Sequence, residues 1–313
     1  MKHFISLNDI SEGELRELLD LAQRLKAERK EGRPHPLLKG KTLGMIFTKS
    51  STRTRVSFEA GMYQLGGYPL VMNAGDLQLG RGEPIGDTAR VLSRYIDAIM
   101  IRTYSQSDVE GLASHGSIPV INGLTDEMHP CQALADLMTL REAKGTLKGV
   151  KLAYVGDGNN VAHSLLHACA LAGTDIAVAT PAAFACKRQY VDEAMAIASR
   201  TGAGITITDD PAEAVARADA VYTDTWVSMG MEEEKAERAK AFKGYQVDGK
   251  LFALAKPDAI FMHCLPVYRG FEASDDIVDG PASRIFDEAE NRLHAQKAVL
   301  VKLLGGSGAQ CQA

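Results

Sequence analysis

Short apolar runs of strand character alternate with helical segments along almost the whole of this 313-residue chain. Helices are predicted between the strands, for example at 53–65, where a helical pattern ends at Gly66-Gly67, and at 131–144. Such a chain folds into parallel sheets with helices on both faces, because each strand needs a crossover to return to the same edge. The sequence therefore predicts an α/β fold of the doubly wound class. The predicted strands lie at 41–48, 68–72, 98–102, 119–122, 151–155, 175–179, 205–208, 220–224 and 259–263.

The length predicts two domains, because 313 residues exceed what one hydrophobic core usually organises. A polar, Gly-containing stretch at 145–151 separates two α/β halves, which places the first domain at 1–146 and the second at 147–286. A further helix is predicted at 287–304. The Gly-rich tail at 305–313 is expected to be disordered.

Charge and cysteine usage narrow the class of protein. A formal net charge of −5 and a pI near 5.9 argue against a general nucleic-acid binder. The first residues show no signal or transit peptide, and no apolar run approaches the roughly 20 residues of a membrane-spanning helix. The five cysteines are scattered without a C-x-x-C pair, which disfavours a disulfide framework or structural zinc and predicts a cytoplasmic protein. They are Cys131, Cys169, Cys186, Cys264 and Cys311.

Hydroxyl side chains and two arginines crowd the start of the helix predicted at 53–65, in the run Ser50-Ser-Thr-Arg-Thr-Arg55. Free backbone N–H groups and the positive end of the helix dipole point to the same place, which favours a bound phosphate or carboxylate. A plain capped helix, with Arg55 paired to Glu59 one turn later, is an alternative for Arg55 but leaves Arg53 unexplained. The nucleotide pattern G-x-x-x-x-G-K-[ST] is absent, so a small anion is expected.

A glycine-containing turn at 156–161 follows a predicted strand and resembles the dinucleotide fingerprint G-x-G-x-x-G. Its third glycine is replaced by Val161, and the next strand ends in Thr180-Pro181 without the acidic ribose partner. A nicotinamide-dependent dehydrogenase is therefore a disfavoured alternative. Asn159 and Asn160 suit an amino-acid head group better than a pyrophosphate.

Three further polar groups follow strand ends or begin a helix. Arg102 ends a predicted strand, and His129 and Gln132 lie three residues apart where a helix begins. Fixed donors of this kind can polarise a carbonyl oxygen that gains negative charge. The sequence leaves the protonation state of His129 open.

The loops 224–230 and 263–266 carry the remaining unusual side chains, and Asp224 and Cys264 are expected to receive a cationic amine together. Because His263 and Cys264 are adjacent, a shared metal is not expected. His163 and His167 have a metal-compatible spacing without an evident third ligand, so no metal site is predicted. The charged segment 232–243 is expected to be a solvated helix or a mobile lid.

Taken together, these motifs resemble the ornithine carbamoyltransferases over nearly the whole chain. The shared motifs include Ser51-Thr-Arg-Thr-Arg55, Gln78-Leu-Gly-Arg-Gly-Glu83, Asp87-Thr-Ala-Arg-Val-Leu92, His129-Pro-Cys-Gln132, Asp224 with Ser228-Met-Gly230, His263-Cys-Leu-Pro266 and Glu290-Asn-Arg292. The Ser-Met-Gly and His-Cys-Leu-Pro patterns distinguish the ornithine branch from the aspartate branch.

The resemblance implies transfer of a carbamoyl group from carbamoyl phosphate to the δ-amine of L-ornithine, without a cofactor or metal, in arginine metabolism. It also implies a homotrimer with Gln78 acting on the neighbouring subunit's site, and a last helix that crosses back to the first domain. Acetylornithine and putrescine are alternative acceptors. Asn160 and the run Ser228-Met-Gly230 imply a free α-amino acid head group, which disfavours both. The implied carbamoyl-phosphate residues are Ser51, Thr52, Arg53, Thr54, Gln78, Arg102, His129 and Gln132. The implied ornithine residues are Asn160, Asp224, Ser228 and Met229, with Cys264, Leu265 and Arg292 completing the cleft; the expected catalytic set is Arg53, Arg102, His129, Asp224 and Cys264.

Overall fold

The computed structural model describes residues 1–73, 75, 82–227 and 232–305. Within them, parallel strands alternate with α-helices, which confirms the predicted α/β class. The strands are β1 Thr42–Phe47, β2 Tyr68–Asn73, β3 Ala98–Arg102, β4 Val120–Leu124, β5 Lys151–Val155, β6 Asp175–Ala179, β7 Ile205–Thr208, β8 Ala220–Tyr222 and β9 Ile260–Met262. The helices are α1 Glu12–Lys30, α2 Thr52–Gln64, α3 Ile85–Leu92, α4 Gln106–His115, α5 Pro130–Lys144, α6 Asn160–Ala172, α7 Arg188–Thr201, α8 Pro211–Val215, α9 Lys235–Ala241, α10 Gly249–Phe252, α11 Asp275–Val278 and α12 Ile285–Leu304.

The chain divides into two compact units. Unit 1 contains Met1–Ala135 and the chain from Glu290 on, and unit 2 contains Asp136–Ala289. The two boundaries between these units fall inside helices α5 and α12. The sequence instead places the boundary between its functional domains after residue 146, and that boundary stays a prediction. The C-terminal part of α12 packs in unit 1, where Lys26 Nζ on α1 donates to Asn291 Oδ1 at 2.7 Å.

The sheet of unit 1 has the strand order β2-β1-β3-β4. From β1 the chain adds β2 on one side of the sheet and then β3 and β4 on the other, so the order in which strands are added reverses between β1 and β3. In open α/β sheets, ligands bind at the carboxyl ends of the strands at such a reversal point. Phe47, the last residue of β1, is in register with Arg102, the last residue of β3. The segments after these strands therefore lie side by side at one edge of the sheet.

The sheet of unit 2 has the strand order β7-β6-β5-β8-β9, so its reversal lies between β5 and β8. Tyr154 of β5 is in register with Tyr222 of β8. The turn that follows β5 and the loop that follows β8 consequently leave the sheet next to each other. Phe242, Phe261 and Val221 are buried in the apolar core beneath these loops.

Strands β8 and β9 end earlier than the sequence predicts, at Tyr222 and Met262 rather than at 224 and 263. Asp224 and His263 thus lie in the loops beyond the sheet. None of the helices in the described ranges is long and apolar enough to cross a bilayer.

Candidate active site

The hydroxyl- and arginine-rich turn of unit 1 forms the N-terminus of α2. Ser51 is the N-cap, and its Oγ accepts a hydrogen bond from the Thr54 N–H at 3.2 Å. Thr52 and Arg53 are exposed in the first turn, while Thr54 is buried. The turn thus presents helix N–H groups, hydroxyls and a guanidinium at one point, which suits an anion.

The two arginines of this turn differ in their contacts. Arg55 Nε lies 3.3 Å from Glu59 Oε2 one turn along α2, which matches the alternative that the sequence offers for Arg55. Arg102, buried at the end of β3, donates from Nη1 to Thr54 Oγ1 at 3.4 Å. The register of β1 and β3 therefore joins Arg102 to the turn.

His129 and Gln132, on either side of the first residue of α5, both meet Arg292 of α12. Arg292 Nη1 donates to Gln132 Oε1 at 2.5 Å and lies 3.4 Å from His129 Nε2. All three side chains are buried in unit 1. The structure thus brings together the groups that the sequence expects to polarise a carbonyl.

The surroundings of His129 decide its protonation state. Burial lowers the pKa of His129 well below its ordinary value, and the positive charges of Arg292, Arg102 and Arg53 lower it further. The ring is therefore neutral at pH 7. Because Nε2 faces an N–H of Arg292, we assign Nε2 as the acceptor and place the ring proton on Nδ1.

Lys49 is a cation near this cluster that the sequence interpretation missed. It lies two residues beyond the end of β1, is 6% exposed, and places Nζ 2.9 Å from Asp126 Oδ1 and 4.9 Å from the centre of the Tyr104 ring. Its charge also lowers the pKa of His129. A single Lys beside a serine run usually indicates a solvated side chain, so only its burial identifies it.

The candidate site residues of unit 2 surround Asp224. Asn159 Nδ2 donates to Asp224 Oδ2 at 2.7 Å, and Cys264 Sγ donates to Asp224 Oδ1 at 3.1 Å. Asn159 is also the N-cap of α6, since its Oδ1 accepts the Val161 N–H at 2.9 Å. Burial and the nearby Asp224 raise the pKa of the Cys264 thiol well above its ordinary value, so the thiol keeps its proton and acts as a donor.

His263 holds the backbone that carries Cys264 and Leu265. Its Nδ1 accepts the Leu265 N–H at 2.9 Å, and its Nε2 lies 3.3 Å from Glu272 Oε1, which places the ring proton on Nε2. Leu265 has a φ of 60°, which is unfavourable for a residue with a side chain. The His263 contact therefore helps to fix a backbone conformation that the residue alone disfavours.

Asp224, His263 and Cys264 bring one ligand atom each within 4.8 Å of one another, a spacing compatible with a metal ion. The sequence does not predict a metal shared by adjacent His263 and Cys264, yet their ligand atoms lie close enough together for one. Both ring nitrogens of His263 are already engaged, and the Cys264 thiol is protonated. These donor atoms fit a hydrogen-bonding network better than a metal centre.

The histidine pair with metal-compatible spacing, His163 and His167, has contacts within the helical layer of unit 2. His163 Nε2 accepts the Lys187 N–H at 3.1 Å, and His167 Nε2 lies 3.2 Å from Glu193 Oε2. Both histidines are buried, and both ring systems contact Tyr190.

The segment after the Asp224 loop is more firmly held than the sequence suggests. Arg238 on α9 is 6% exposed rather than solvated. Its Nη1 donates to Asp157 Oδ2 at 2.8 Å and to the Trp226 carbonyl at 2.9 Å, and its guanidinium lies over the Phe184 ring. Burial raises the pKa of Asp157 to about 6, against the opposing effect of Arg238. The expectation of a solvated helix is thus wrong at Arg238, and the alternative of a mobile lid stays a prediction.

Three of the residues named from sequence, Gln78, Ser228 and Met229, lie outside the described residues. Asn160 is the first residue of α6, beside Asn159.

Family models match both halves of the chain. The model described as "Aspartate/ornithine carbamoyltransferase, carbamoyl-P binding domain" matches residues 2–142, and the one described as "Aspartate/ornithine carbamoyltransferase, Asp/Orn binding domain" matches residues 148–303. The chain is 60% identical over 301 residues to the ornithine carbamoyltransferase of Caldicellulosiruptor saccharolyticus, covering 96% of this chain and 98% of the relative.

Solved structures agree with these matches. The ornithine carbamoyltransferase of Pyrococcus furiosus is 54% identical with a TM-score of 0.95, covering 97% of each chain. The ornithine carbamoyltransferase of Gloeobacter violaceus is 49% identical with a TM-score of 0.86, covering 97% of this chain and 99% of its own.

Proposed function

The chain belongs to the aspartate/ornithine carbamoyltransferase family, and on that premise we propose that it transfers the carbamoyl group of carbamoyl phosphate to the δ-amine of L-ornithine. The products are L-citrulline and phosphate. Relatives between 54% and 60% identical that bear the name ornithine carbamoyltransferase support this assignment.

The observation that carries the choice of acceptor is the set of groups around Asp224. A carboxylate, held by the Asn159 amide and the Cys264 thiol, favours a cationic amine. A second carboxylate, as in aspartate, would meet like charge there. Ornithine is therefore the better acceptor of the two that the family descriptions mention.

We assign carbamoyl phosphate to unit 1, within a carbamoyl-phosphate domain at 1–146 joined by the helix 287–304. The α2 turn holds the phosphate, and the buried donors hold the carbonyl, whose oxygen gains negative charge as the amine attacks. A neutral His129 supplies an N–H without adding another cation beside three arginines. The proposed phosphate residues are Ser51, Thr52, Arg53 and Thr54, with Gln78 from a neighbouring subunit, and the proposed carbonyl residues are Arg102, His129, Gln132 and Thr54.

We assign ornithine to unit 2, within a domain at 147–286. Asp224 and Cys264 orient the δ-amine, and the Leu265 backbone, fixed by His263, lies beside them. The proposed ornithine residues are Asn160, Asp224, Ser228 and Met229, and Cys264, Leu265 and Arg292 complete the substrate contacts.

The chemistry needs a neutral amine. A δ-amine with a pKa of about 10.4 must lose a proton at a cost of roughly 4 kcal/mol near pH 7.4. Asp224 favours binding of the cation but opposes this loss. We therefore assign Asp224 and Cys264 to orientation, and Arg53 and Arg102 to the charge that passes to the leaving phosphate. Proximity of the two substrates lowers the barrier further.

One assay tests the reaction: carbamoylated product is measured from carbamoyl phosphate with ornithine, acetylornithine, putrescine and aspartate in parallel. We expect ornithine to be preferred, and preference for any of the others would overturn the proposal. Arg53→Ala is expected to lower kcat/KM for carbamoyl phosphate, with Arg55→Ala as the matched control, because Arg55 pairs with Glu59 instead. Equal activity of wild type and Arg53→Ala would remove Arg53 from the site.

We also propose a homotrimer in which Gln78 acts on the adjacent subunit. Large side chains on unit 1 support an interface, since Tyr63 at 78%, Tyr95 at 75%, Tyr68 at 62% and Val56 at 56% exposure lie on or next to α2, β2 and α3. Light scattering measures the assembly. Mixing inactive Gln78→Ala and Arg53→Ala subunits should restore activity in hybrid trimers, because a site that takes Arg53 from one subunit and Gln78 from its neighbour then carries both native residues. If activity were not restored, Gln78 would belong to its own subunit's site.

We propose a cytoplasmic location. The cysteines in the described ranges, Cys131, Cys169, Cys186 and Cys264, are free thiols, which suits a reducing compartment. Fractionation of the source cells tests this, and recovery of the protein outside the cytoplasm would refute it.

A further inference from the structure

Gln296 is a buried amide in α12, next to the equally buried Lys297 and among three buried apolar residues. Its side chain is 0% exposed, and Ala295, Ala298 and Val299 beside it are also fully buried. Burying an amide costs free energy unless its donor and acceptor are both bonded. The contacts of Gln296 therefore explain why an apolar residue does not occupy this position.

Both ends of the Gln296 amide have partners in unit 1. In the orientation that satisfies its neighbours, its nitrogen donates to Ser57 Oγ at 2.6 Å, and its oxygen accepts from Arg292 Nε at 3.2 Å and Nη2 at 3.0 Å. Ser57 Oγ in turn donates to the Thr54 carbonyl at 3.3 Å. Gln296 thus connects the first turns of α2 to the guanidinium of Arg292.

These contacts fix the plane of the Arg292 guanidinium. Gln296 engages Nε and Nη2, while Nη1 reaches Gln132 and His129. A guanidinium is a rigid planar fork, so holding one edge determines where the other edge points. Without Gln296, two N–H groups of the Arg292 side chain, which is only 5% exposed, would lose this acceptor.

We propose that Gln296 is a positioning residue: anchored by Ser57, it orients Arg292 so that Nη1 holds Gln132 and the acceptor nitrogen of His129. This role rests on the proposed function above. Arg292 then keeps the His129 proton on Nδ1 and the ring neutral. Gln296 touches neither substrate. Its effect passes through Arg292 to the groups that polarise the carbamoyl carbonyl.

The first test replaces Gln296 by Leu and measures citrulline formation. We expect kcat/KM for carbamoyl phosphate to fall about ten- to a hundredfold, because misplacing a donor by about 1 Å can cost this much. Gln64→Leu is the matched control, since Gln64 on α2 also bonds to α12, through Lys297 Nζ at 3.1 Å, without touching Arg292. We expect the control to keep wild-type kinetics; an equal loss in both variants would show that only helix packing was disturbed and overturn the proposal.

Two further variants keep the proposal testable if Gln296→Leu does not fold. Ser57→Ala removes only the anchor of the amide and is expected to lower kcat/KM about three- to tenfold. Gln296→Glu keeps an acceptor for Arg292, so we expect it to retain more activity than Gln296→Leu. Wild-type rates in Ser57→Ala, or a Glu variant no better than Leu, would contradict the assignment.

A readout without turnover separates this inference from the proposed function. The Glu carboxylate would offset the charge of Arg292, so NMR titration of the His129 ring without substrate should give a pKa higher than in wild type by about one unit or more. An unchanged titration would overturn the positioning role whatever the reaction is. Absence of citrulline formation by wild type would overturn the proposed function and leave this measurement intact.

Discussion

Replacing Asp224 by Asn removes one negative charge from unit 2 with little change in shape. The Asn oxygen can still accept the Asn159 Nδ2 hydrogen bond, and its amide nitrogen can face the Cys264 sulfur, a weak acceptor. The variant should therefore fold, and its kinetics should report the lost charge.

The expected rise in KM for ornithine follows from the attraction between the Asp224 carboxylate and the ammonium group of ornithine. At about 3.5 Å and an effective dielectric constant near 20, the attraction is about 5 kcal/mol. Desolvation of both charges leaves a net of about 2–3 kcal/mol, which corresponds to a rise of about 30- to 150-fold in KM for ornithine. The KM for carbamoyl phosphate should stay within about threefold of wild type, because the residues assigned to that substrate lie in unit 1.

The pH dependence of kcat gives a second, independent test of the role of Asp224. A carboxylate beside an amine raises the pKa of the amine, so removing it should make the bound amine neutral at lower pH. The alkaline rise of kcat should therefore move to lower pH in Asp224→Asn, measured by citrulline formation from pH 6 to 10. An unchanged KM for ornithine, or an equal rise in both KM values, would refute the assignment of Asp224 to the amine.

Three further changes test the energetics of the fold and site. Burial lowers the pKa of Lys297 from 10.5 to about 8, so the unfolded chain binds this proton more tightly than the folded chain. The free energy of unfolding of the wild type should therefore rise between pH 8 and 10.5. The variant Lys297→Met should lack that rise and be about 2 kcal/mol more stable at pH 7, as measured by hydrogen exchange in α12. Removing Arg238 leaves the Asp157 carboxyl buried without its partner, so Arg238→Met should destabilise unit 2 by about 3 kcal/mol and speed amide exchange in α9, and unchanged exchange would contradict this. Cys264→Ser keeps a donor to Asp224 and should retain more ornithine affinity than Cys264→Ala, and the reverse order would refute a donor role for the thiol.

The sequence predicted the elements of the fold because parallel α/β architecture leaves a strong local pattern. The strands at 98–102, 151–155, 175–179 and 205–208 match the structure to the residue. The first three of these strands are almost fully buried, and buried parallel strands are nearly continuous apolar runs bounded by turns, so both of their ends are visible locally. Ends that run into polar site loops, as at Asp224 and His263, were placed one or two residues too late.

The sequence also determined most of the candidate chemistry. The Ser51–Arg55 turn and the closeness of Asp224 and Cys264 could be predicted, and the Arg55–Glu59 pair was an alternative that the spacing offered, because residue types and strand ends carry the signal. Strand order follows long-range pairing, so only the structure decided that the turn after β5 meets the loop after β8 and that Asn159 therefore reaches Asp224.

Burial and partners across the fold were beyond the sequence. The protonation state of His129 depends on arginines that the fold collects around it from 53, 102 and 292. The burial of Lys49, Arg238 and Gln296 has no local signature, since each looks like an ordinary polar residue of a loop or helix. Sequence periodicity records which side chains face a core, whereas the desolvation and electric field at one atom depend on every group the tertiary fold places near it.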